Sequence, residues 1–421
     1  MDSGAALRRG GRVHLVGAGG VGMAGLAFLL KARGCEVSGC DLRANRLTDW
    51  LRREGIEVAL GHDPRHAERA DWLVRSTAVP ASHPELLRAR ERGLPVFRRG
   101  EVLPALLEGR TGIAVAGSHG KTTTVAMIAQ VLDCGYFVGG EIADRPGVAR
   151  DGDPLAVEAD ESDGTLAGYE PDFSAILNVD YDHMEHHASE AAFVGCFERL
   201  IERTRERVFY RADDPILRRL CEGRARCEPF RFPDPPLDLP LPGDHNQWNA
   251  AAARAVCRCR MDDAQIARRL ARVAPVRRRF ETISEAGGVR VVADYAHHPT
   301  EIAALVRAAR SFRPRRLLAL FQPHRHTRTR ALGAAFPPAF EGVDELWIVP
   351  VYAASERPVE GGRSADLIRR FPAARRPHAA ESPEAARREI EATARPGDWI
   401  LVVGAGDVYE RWQGANGGGA T

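Results

Sequence analysis

Short apolar runs alternate along nearly the whole chain with longer stretches in which apolar positions recur every third or fourth residue. The runs read as strands and the periodic stretches as helices. Their regular alternation predicts an α/β fold on mainly parallel sheets. Three blocks separate. The first holds the strands RVHLVG, CEVSGCD, DWLVRST and LPVFRR. The second holds TGIAVAG, PLAVEADESD, FSAILNVD and ERVFYRADD, then two helices near Asn249 to Val273. The third holds GGVRVVADYA, RRLLALFQP, DELWIVPV and DWILVVGAG, each followed by a helical segment. Seams are expected near Leu107 to Thr111 and Ala274 to Arg279. The proline-rich Pro229 to Asn246 cannot be a regular helix and is expected to be an extended connection or edge strand. The tail GANGGGAT is expected to be disordered, and no internal repeat is visible.

Composition narrows this picture only a little. With 44% hydrophobic residues over 421 positions, the chain can fill more than one core. The net charge of +2, from 59 basic and 57 acidic residues, gives no bulk attraction to nucleic acid or membrane. No apolar region follows the basic residues of MDSGAALRRGG and no long apolar run occurs, so a cytoplasmic location is expected. The eight cysteines form no CxxC pair, which favours reduced, buried thiols over a zinc or disulfide framework. Only Lys31 and Lys121 are lysines. One of them sits in the most chemically suggestive stretch of the chain.

That stretch, GIAVAGSHGKTTTVAMIAQVL, is a strand, a loop and a helix, the context of a phosphate loop. Valine stands where the usual first glycine would be, but Gly117, Ser118, His119, Gly120, Lys121, Thr122 and Thr123 keep the physical requirements. Backbone N–H groups surround phosphates, a lysine bridges the terminal ones, and a threonine hydroxyl faces magnesium. In AVEADESDGT, Glu158, Asp160, Glu161 and Asp163 end an apolar strand, which suggests a magnesium site; a solvated acidic loop is the plainer reading. NVDYDHMEHH ends another strand with Asp182 and His183, while His186 and His187 read as surface residues. A zinc site there lacks both HExxH spacing and cysteine partners.

Near the start, Gly17, Gly19, Gly20 and Gly22 form a GxGxxG turn between strand and helix, suited to a diphosphate at the helix N-terminus. Asp41 ends the next strand, placed to accept hydrogen bonds from a ribose. NAD and a UDP-sugar fit equally, and tight packing without a ligand is the third reading. In the last block VVADYAHHPTEI carries Asp294, Tyr295, His297 and His298, and LALFQPHRHTRTR carries His324, Arg325 and Arg328, both at strand ends. Two arginines three apart can clamp a carboxylate; ordinary surface charge is the alternative.

In order, HLVGAGGVGMAGLA, AGSHGKTTT, EADESD, DHM, PGDHNQWNAAAA, DYAHHPTE, FQPHRHTRTR and LVVGAGD resemble the Mur ligases, from about Arg12 to Tyr409, and within them the alanine-adding branch. The family's shortened phosphate loop accounts for the missing glycine. The resemblance implies a Rossmann-like UDP-sugar domain over 1–108, a P-loop ATPase domain over 109–275, shortened here, and a Rossmann-like amino-acid domain over 276–421. It implies ATP and Mg2+ as cofactors, and small-molecule partners, UDP-N-acetylmuramate and L-alanine, with the protein a monomer or weak homodimer. ATP would phosphorylate the lactyl carboxylate, and the alanine amine would attack the acyl phosphate.

By the same resemblance Lys121 contacts the terminal phosphates, and Thr122, Glu158 and His183 hold magnesium. Asn246 and Asn249 lie on the adenine side and Asp294 on the ribose side. Tyr295, His297, His324, Arg325 and Arg328 serve the amino acid, and Gly17, Gly19, Gly20, Gly22, Asp41 and Ser76 the UDP-sugar. Mur ligases adding later residues carry a carbamylated lysine, for which this chain has no lysine after Lys121. The competing expectations are a Mur-type ligase that recycles a peptide, a NAD-dependent oxidoreductase, and a nucleotide-binding regulator without turnover.

Overall fold

The computed structural model describes residues 2–161, 165–180, 189–354 and 356–414. Asp163, Asp182, His183, His186, His187 and the tail beyond Gly414 lie outside the described residues. The chain divides into two compact units, Met1–Pro240 with Asn246–Val276, and Leu241–His245 with Arg277–Thr421. Among the described residues the strands form three sheets, mostly parallel, and no helix is long and apolar enough to cross a membrane.

The first unit contains two sheets. In one, β1 (Arg12–Val16), β2 (Glu36–Asp41), β3 (Glu57–Leu60), β4 (Trp72–Arg75) and β5 (Val96–Arg98) run parallel in the order β3-β2-β1-β4-β5. The order reverses beside β1, so the loops after β1 and β4 diverge and leave a crevice at the carboxyl edge. In the other, β6 (Gly112–Ala116), β7 (Gly135–Phe137), β8 (Ala149–Arg150), β9 (Leu155–Glu158), β10 (Phe173–Ile176), β11 (Arg207–Arg211) and β12 (Cys227–Phe230) take the order β12-β11-β10-β6-β9-β7-β8. Here β6 lies between β9 and β10, both parallel to it. Its carboxyl end therefore stands between those of its neighbours.

The helix Val21–Ala32 buries seven side chains or glycines, in the same hydrophobic core as Phe137, Val148 and Leu155 of the second sheet. Gly25 makes that approach possible, since a Cβ there would lie 2.7 Å from the Phe137 ring. The first two sheets are thus joined by packed apolar surface, and Leu103, Leu106 and Leu107 of the connecting segment belong to the same core.

In the second unit β13 (Glu281–Ala286), β14 (Val289–Asp294), β15 (Leu317–Phe321), β16 (Glu345–Ile348), β17 (His378–Ala379) and β18 (Trp399–Val403) take the order β13-β14-β18-β15-β16-β17. Among the described residues of this sheet only β13 is antiparallel to its neighbour. The fully buried β15 and β18 read as unbroken apolar runs, as strands covered on both faces must.

Five strands, β3, β7, β8, β13 and β17, were not expected from the apolar pattern. They are short or, like β13, exposed along most of their length, so no apolar run marks them. Of the proline-rich segment, Pro229 and Phe230 lie in the edge strand β12 as expected, but Asp244 to Asn246, beyond the last proline, begin the helix Asp244–Cys257, where no helix was expected. All eight cysteines are free thiols, and six are buried.

Candidate active site

Most longer helices of the chain are closed at their N-termini by a side chain: Asn45, Ser189, Asp214, Asp262 and Ser382 each accept a backbone N–H. The two helices that follow glycine-rich turns, Val21–Ala32 and Lys121–Leu132, have neither a side-chain cap nor an acidic residue in the first turn. Their N–H groups and positive ends remain available to an anion.

At the first turn, Gly17 adopts a left-handed φ of 83° and packs against Ser76. The Gly19 N–H donates to Asp41 Oδ2 at 2.8 Å, and Asn45 Nδ2 donates to the Gly19 carbonyl at 3.1 Å. A Cβ at Gly19 would come within 3.0 Å of Asn45, Asp41 and Thr48, so a larger residue would displace the side chains that hold the turn. Asp41 thus orders the turn directly. Arg99 lies against Gly22, and its Nη2 reaches Asp160 Oδ2 at 3.2 Å. Gly17, Gly19, Gly20, Gly22, Asp41 and Ser76 share this carboxyl edge; Arg99 and Asn45 join them without having been picked out by any motif.

The phosphate loop turns on Gly117 and Gly120, with φ of 133° and 87°. Its backbone is held from β10's end: Asn178 accepts the His119 N–H at 2.9 Å and donates to the His119 carbonyl at 3.1 Å. Ser118 Oγ donates to the Asp180 carbonyl at 2.7 Å, and His119 Nε2 lies 3.1 Å from Asp180 Oδ2. Asn249 is buried directly against Gly120, and its Nδ2 lies 3.3 Å from Asn246 Oδ1. Lys121 Nζ donates to the Gly117 carbonyl at 2.6 Å and pairs with Glu161 at 2.8 Å. Burial works against the ammonium, but Glu161, Asp160 and Glu158 outweigh it and raise its pKa, so Lys121 is charged. Burial, with Asp160, raises the Glu161 carboxyl against the pull of Lys121.

Thr122 and Glu158 converge across Gly139. A Cβ there would lie 3.2 and 3.3 Å from the Glu158 oxygens and 3.3 Å from Thr122 Oγ1, and the Gly139 N–H itself donates to Glu158. Hydroxyl and carboxylate oxygens around a space kept open by a missing side chain fit magnesium, a hard cation. His183, the third expected ligand, lies outside the described residues.

The second unit gathers its own cluster. Asp294 accepts the N–H groups of Phe280 and Ala296, each at 2.8 Å; burial raises its carboxyl, with Arg279 opposing. Beyond it, the His297 ring lies 5.6 Å from Tyr295 and 5.8 Å from His324, and His324 stacks on Tyr352 at 5.6 Å. Buried Arg328 places Nη1 3.3 Å from His324 Nδ1. Arg325 opens the helix His326–Ala331 in a left-handed conformation, φ 66°, fixed by its N–H on the Tyr352 carbonyl at 2.8 Å. Glu301 accepts the N–H groups of His297 and His298. His298 caps the helix Pro299–Ser311. Tyr295, His297, His324, Arg325 and Arg328 therefore share one sheet edge with Tyr352, which no sequence motif indicated. His245, in the same unit, is held down at about 4 by burial together with Arg279 and Arg307, and is neutral.

Known proteins resemble this chain in sequence and in fold. A family model for the catalytic domain of the Mur ligase family matches residues 12–111, and one for the Mur ligase glutamate ligase domain matches residues 278–406. The UDP-N-acetylmuramate–L-alanine ligase of Kineococcus radiotolerans is 43% identical over 94% of both chains, and that of Thermobifida fusca 39% over 95% of both. Among solved structures, the UDP-N-acetylmuramate-alanine ligase of Thermotoga maritima matches with a TM-score of 0.81 at 26% identity, covering 96% of this chain and 100% of that one. A murein peptide ligase from Psychrobacter arcticus shares the fold, with a TM-score of 0.73 at 20% identity over 97% and 99% of the two chains.

Proposed function

Because the chain belongs to the Mur ligase family, we propose that it joins L-alanine to the lactyl carboxylate of UDP-N-acetylmuramate, with ATP hydrolysed to ADP and phosphate, in the cytoplasmic synthesis of peptidoglycan precursors. The observation that carries this reading is the second sheet's edge, where an uncapped helix opens with Lys121 and Thr122, and Thr122 converges with Glu158 across Gly139. In this proposal residues 1–108 take the UDP-sugar, 109–275 ATP, and 276–421 the amino acid. The reactants are small molecules, and neither nucleic acid nor membrane takes part.

A carboxylate resists amine attack because its leaving group would be oxide. Transfer of the terminal phosphoryl group makes that leaving group phosphate. The amine nitrogen then bonds to the carbonyl carbon, the carbon–oxygen bond to phosphate breaks, and the amine releases protons. No protein nucleophile is required, so positioning and positive charge dominate. Lys121 and the N–H groups of Gly117 to Thr123 hold the terminal phosphates. Thr122 and Glu158, with His183, would hold magnesium, which would supply charge neutralisation. Asn246 and Asn249 orient the nucleoside, and Gly17, Gly19, Gly20, Gly22, Asp41 and Ser76 the UDP-sugar. The alanine carboxylate meets Arg325 and Arg328, with Tyr295, His297 and His324 beside it.

Phosphate release by the purified protein should require UDP-N-acetylmuramate and L-alanine together and yield one amide per phosphate. Release regardless of either substrate, or without amide, would overturn the proposal. Stronger turnover with a tripeptide than with alanine would assign the recycling reaction instead. The oxidoreductase reading leaves the phosphate loop without a role and predicts NAD(H) binding that a fluorescence titration should not find.

A further inference from the structure

A second constellation lies beneath the first glycine turn, on the opposite side of Cys40 from the ligand crevice's Asp41. In the parallel register His14 pairs with Ser38 and Val16 with Cys40, so His14 and Cys40 face the same side of the first sheet. Against that face lie His66, on the short 3-10 helix Pro64–Arg69, and Glu85, in the first turn of the helix Pro84–Glu91. His14, Cys40 and Glu85 are 3%, 0% and 0% exposed.

From these residues we infer a transition-metal site, for zinc, made by His14 Nε2, Cys40 Sγ, His66 Nδ1 and Glu85. The four ligand atoms all lie within 4.8 Å of one another. Nε2 of His14 is 3.4 Å from Cys40 Sγ and 3.5 Å from Glu85 Oε2. Cys40 Sγ is 3.3 Å from both Glu85 oxygens, and His66 Nδ1 is 3.1 Å from Oε1. Zinc bonds of about 2.0–2.3 Å in a tetrahedron place ligand atoms roughly 3.3–3.6 Å apart. The edge from Cys40 to His14, those from Cys40 to Glu85, and that from each histidine to a Glu85 oxygen are near those lengths, and the two edges from His66 to His14 and Cys40 lie within 4.8 Å.

Charge and outer contacts agree with the distances. A thiolate and a carboxylate balance a divalent ion, with both imidazoles neutral. Binding forms the zinc–sulfur bond and releases the thiol proton to solvent. Ser38 Oγ lies 2.9 Å from His14 Nδ1, so an Nδ1–H donor there turns the Nε2 lone pair toward the site. The Asp63 N–H donates to Glu85 Oε1 at 2.9 Å, orienting that carboxylate. His62 Nδ1, 3.1 Å from Cys40 Sγ and 3.3 Å from Glu85 Oε1, is the nearest additional donor. Four ligands from four elements describe a closed, structural site. The carbonyl of Cys40 accepts the Gly17 and Ala18 N–H groups, each at 2.9 Å, so an ion bound here clamps the base of the turn.

The test uses the full chain, stripped by a chelator that is then removed, and titrated with Co2+. One equivalent should produce a thiolate-to-cobalt charge-transfer band that Zn2+ abolishes. Cys40→Ser should remove the band, His66→Asn should weaken Co2+ binding roughly tenfold or more, and Cys259→Ser, at an exposed thiol, should leave the band intact. Zn2+ should raise the unfolding temperature of the unsubstituted protein and not that of Cys40→Ser, whose fold circular dichroism checks. No charge-transfer band, or a band that survives Cys40→Ser, overturns the inference. Should Cys40→Ser not fold, an unweakened His66→Asn overturns it alone.

Discussion

Lys121 serves the Gly117 carbonyl and Glu161 in the structure and phosphate in the proposed reaction. Its ammonium is buried against Glu161, so Lys121→Ala strands a buried carboxylate as well as removing the phosphate contact. Lys121→Ala should lower stability by about 3 kcal/mol and amide formation by about 100-fold or more. Lys121→Ala with Glu161→Gln should recover most of the stability, by thermal unfolding, and none of the turnover. Gly139→Ala places a methyl group among the Glu158 oxygens and Thr122 Oγ1. It should raise the Mg2+ concentration for half-maximal phosphate release about tenfold, consistent with perturbation of a metal's surroundings. Lys121 and Thr122 were legible because the loop is one contiguous stretch with a known physical role. Gly139 and Asn178 were not, because they reach the loop only through the pairing of β7 with β9 and of β10 with β6. The His14, Cys40, His66 and Glu85 cluster was hidden for the same reason: its members come from four elements with no characteristic spacing, and absence of CxxC says nothing about such a set.

At the level of elements, the apolar runs marked the central strands of all three sheets and missed edges such as β3 and β13, whose exposed positions carry no apolar signal. The parallel arrangement followed from strand–helix alternation, and with it the expectation that chemistry gathers at carboxyl edges. The missing helix caps are a subtler signal. Gly20 and Gly120 occupy positions where Asn45, Asp214 and Asp262 close other helices, which leaves N–H groups for phosphate. In the second unit the short helix His326–Ala331 carries Arg328 beside His324. Arg328→Lys keeps the charge and loses the planar fork. It should raise KM for L-alanine about 10- to 100-fold with a smaller effect on KM for ATP, measured by steady-state phosphate release.

Across the whole molecule, stability should depend on pH through His245. Its folded imidazole, at about 4, lies below the ordinary 6.5. Between those values the unfolded chain binds a proton that the folded one does not, so this contribution is complete above 6.5 and lost as pH falls toward 4. His245→Gln should flatten that part of a stability profile measured by denaturant unfolding.

Arg99 carries a different consequence. The guanidinium that lies against Gly22 also reaches Asp160, on the edge where β9 ends. A diphosphate arriving at the turn would compete with Asp160 for the same cation, which would link the two proposed nucleotide sites thermodynamically. Each ligand must then alter the other's affinity by one common factor. Titration calorimetry of each ligand, with and without the other, should return that factor twice, and Arg99→Ala should bring both values toward one.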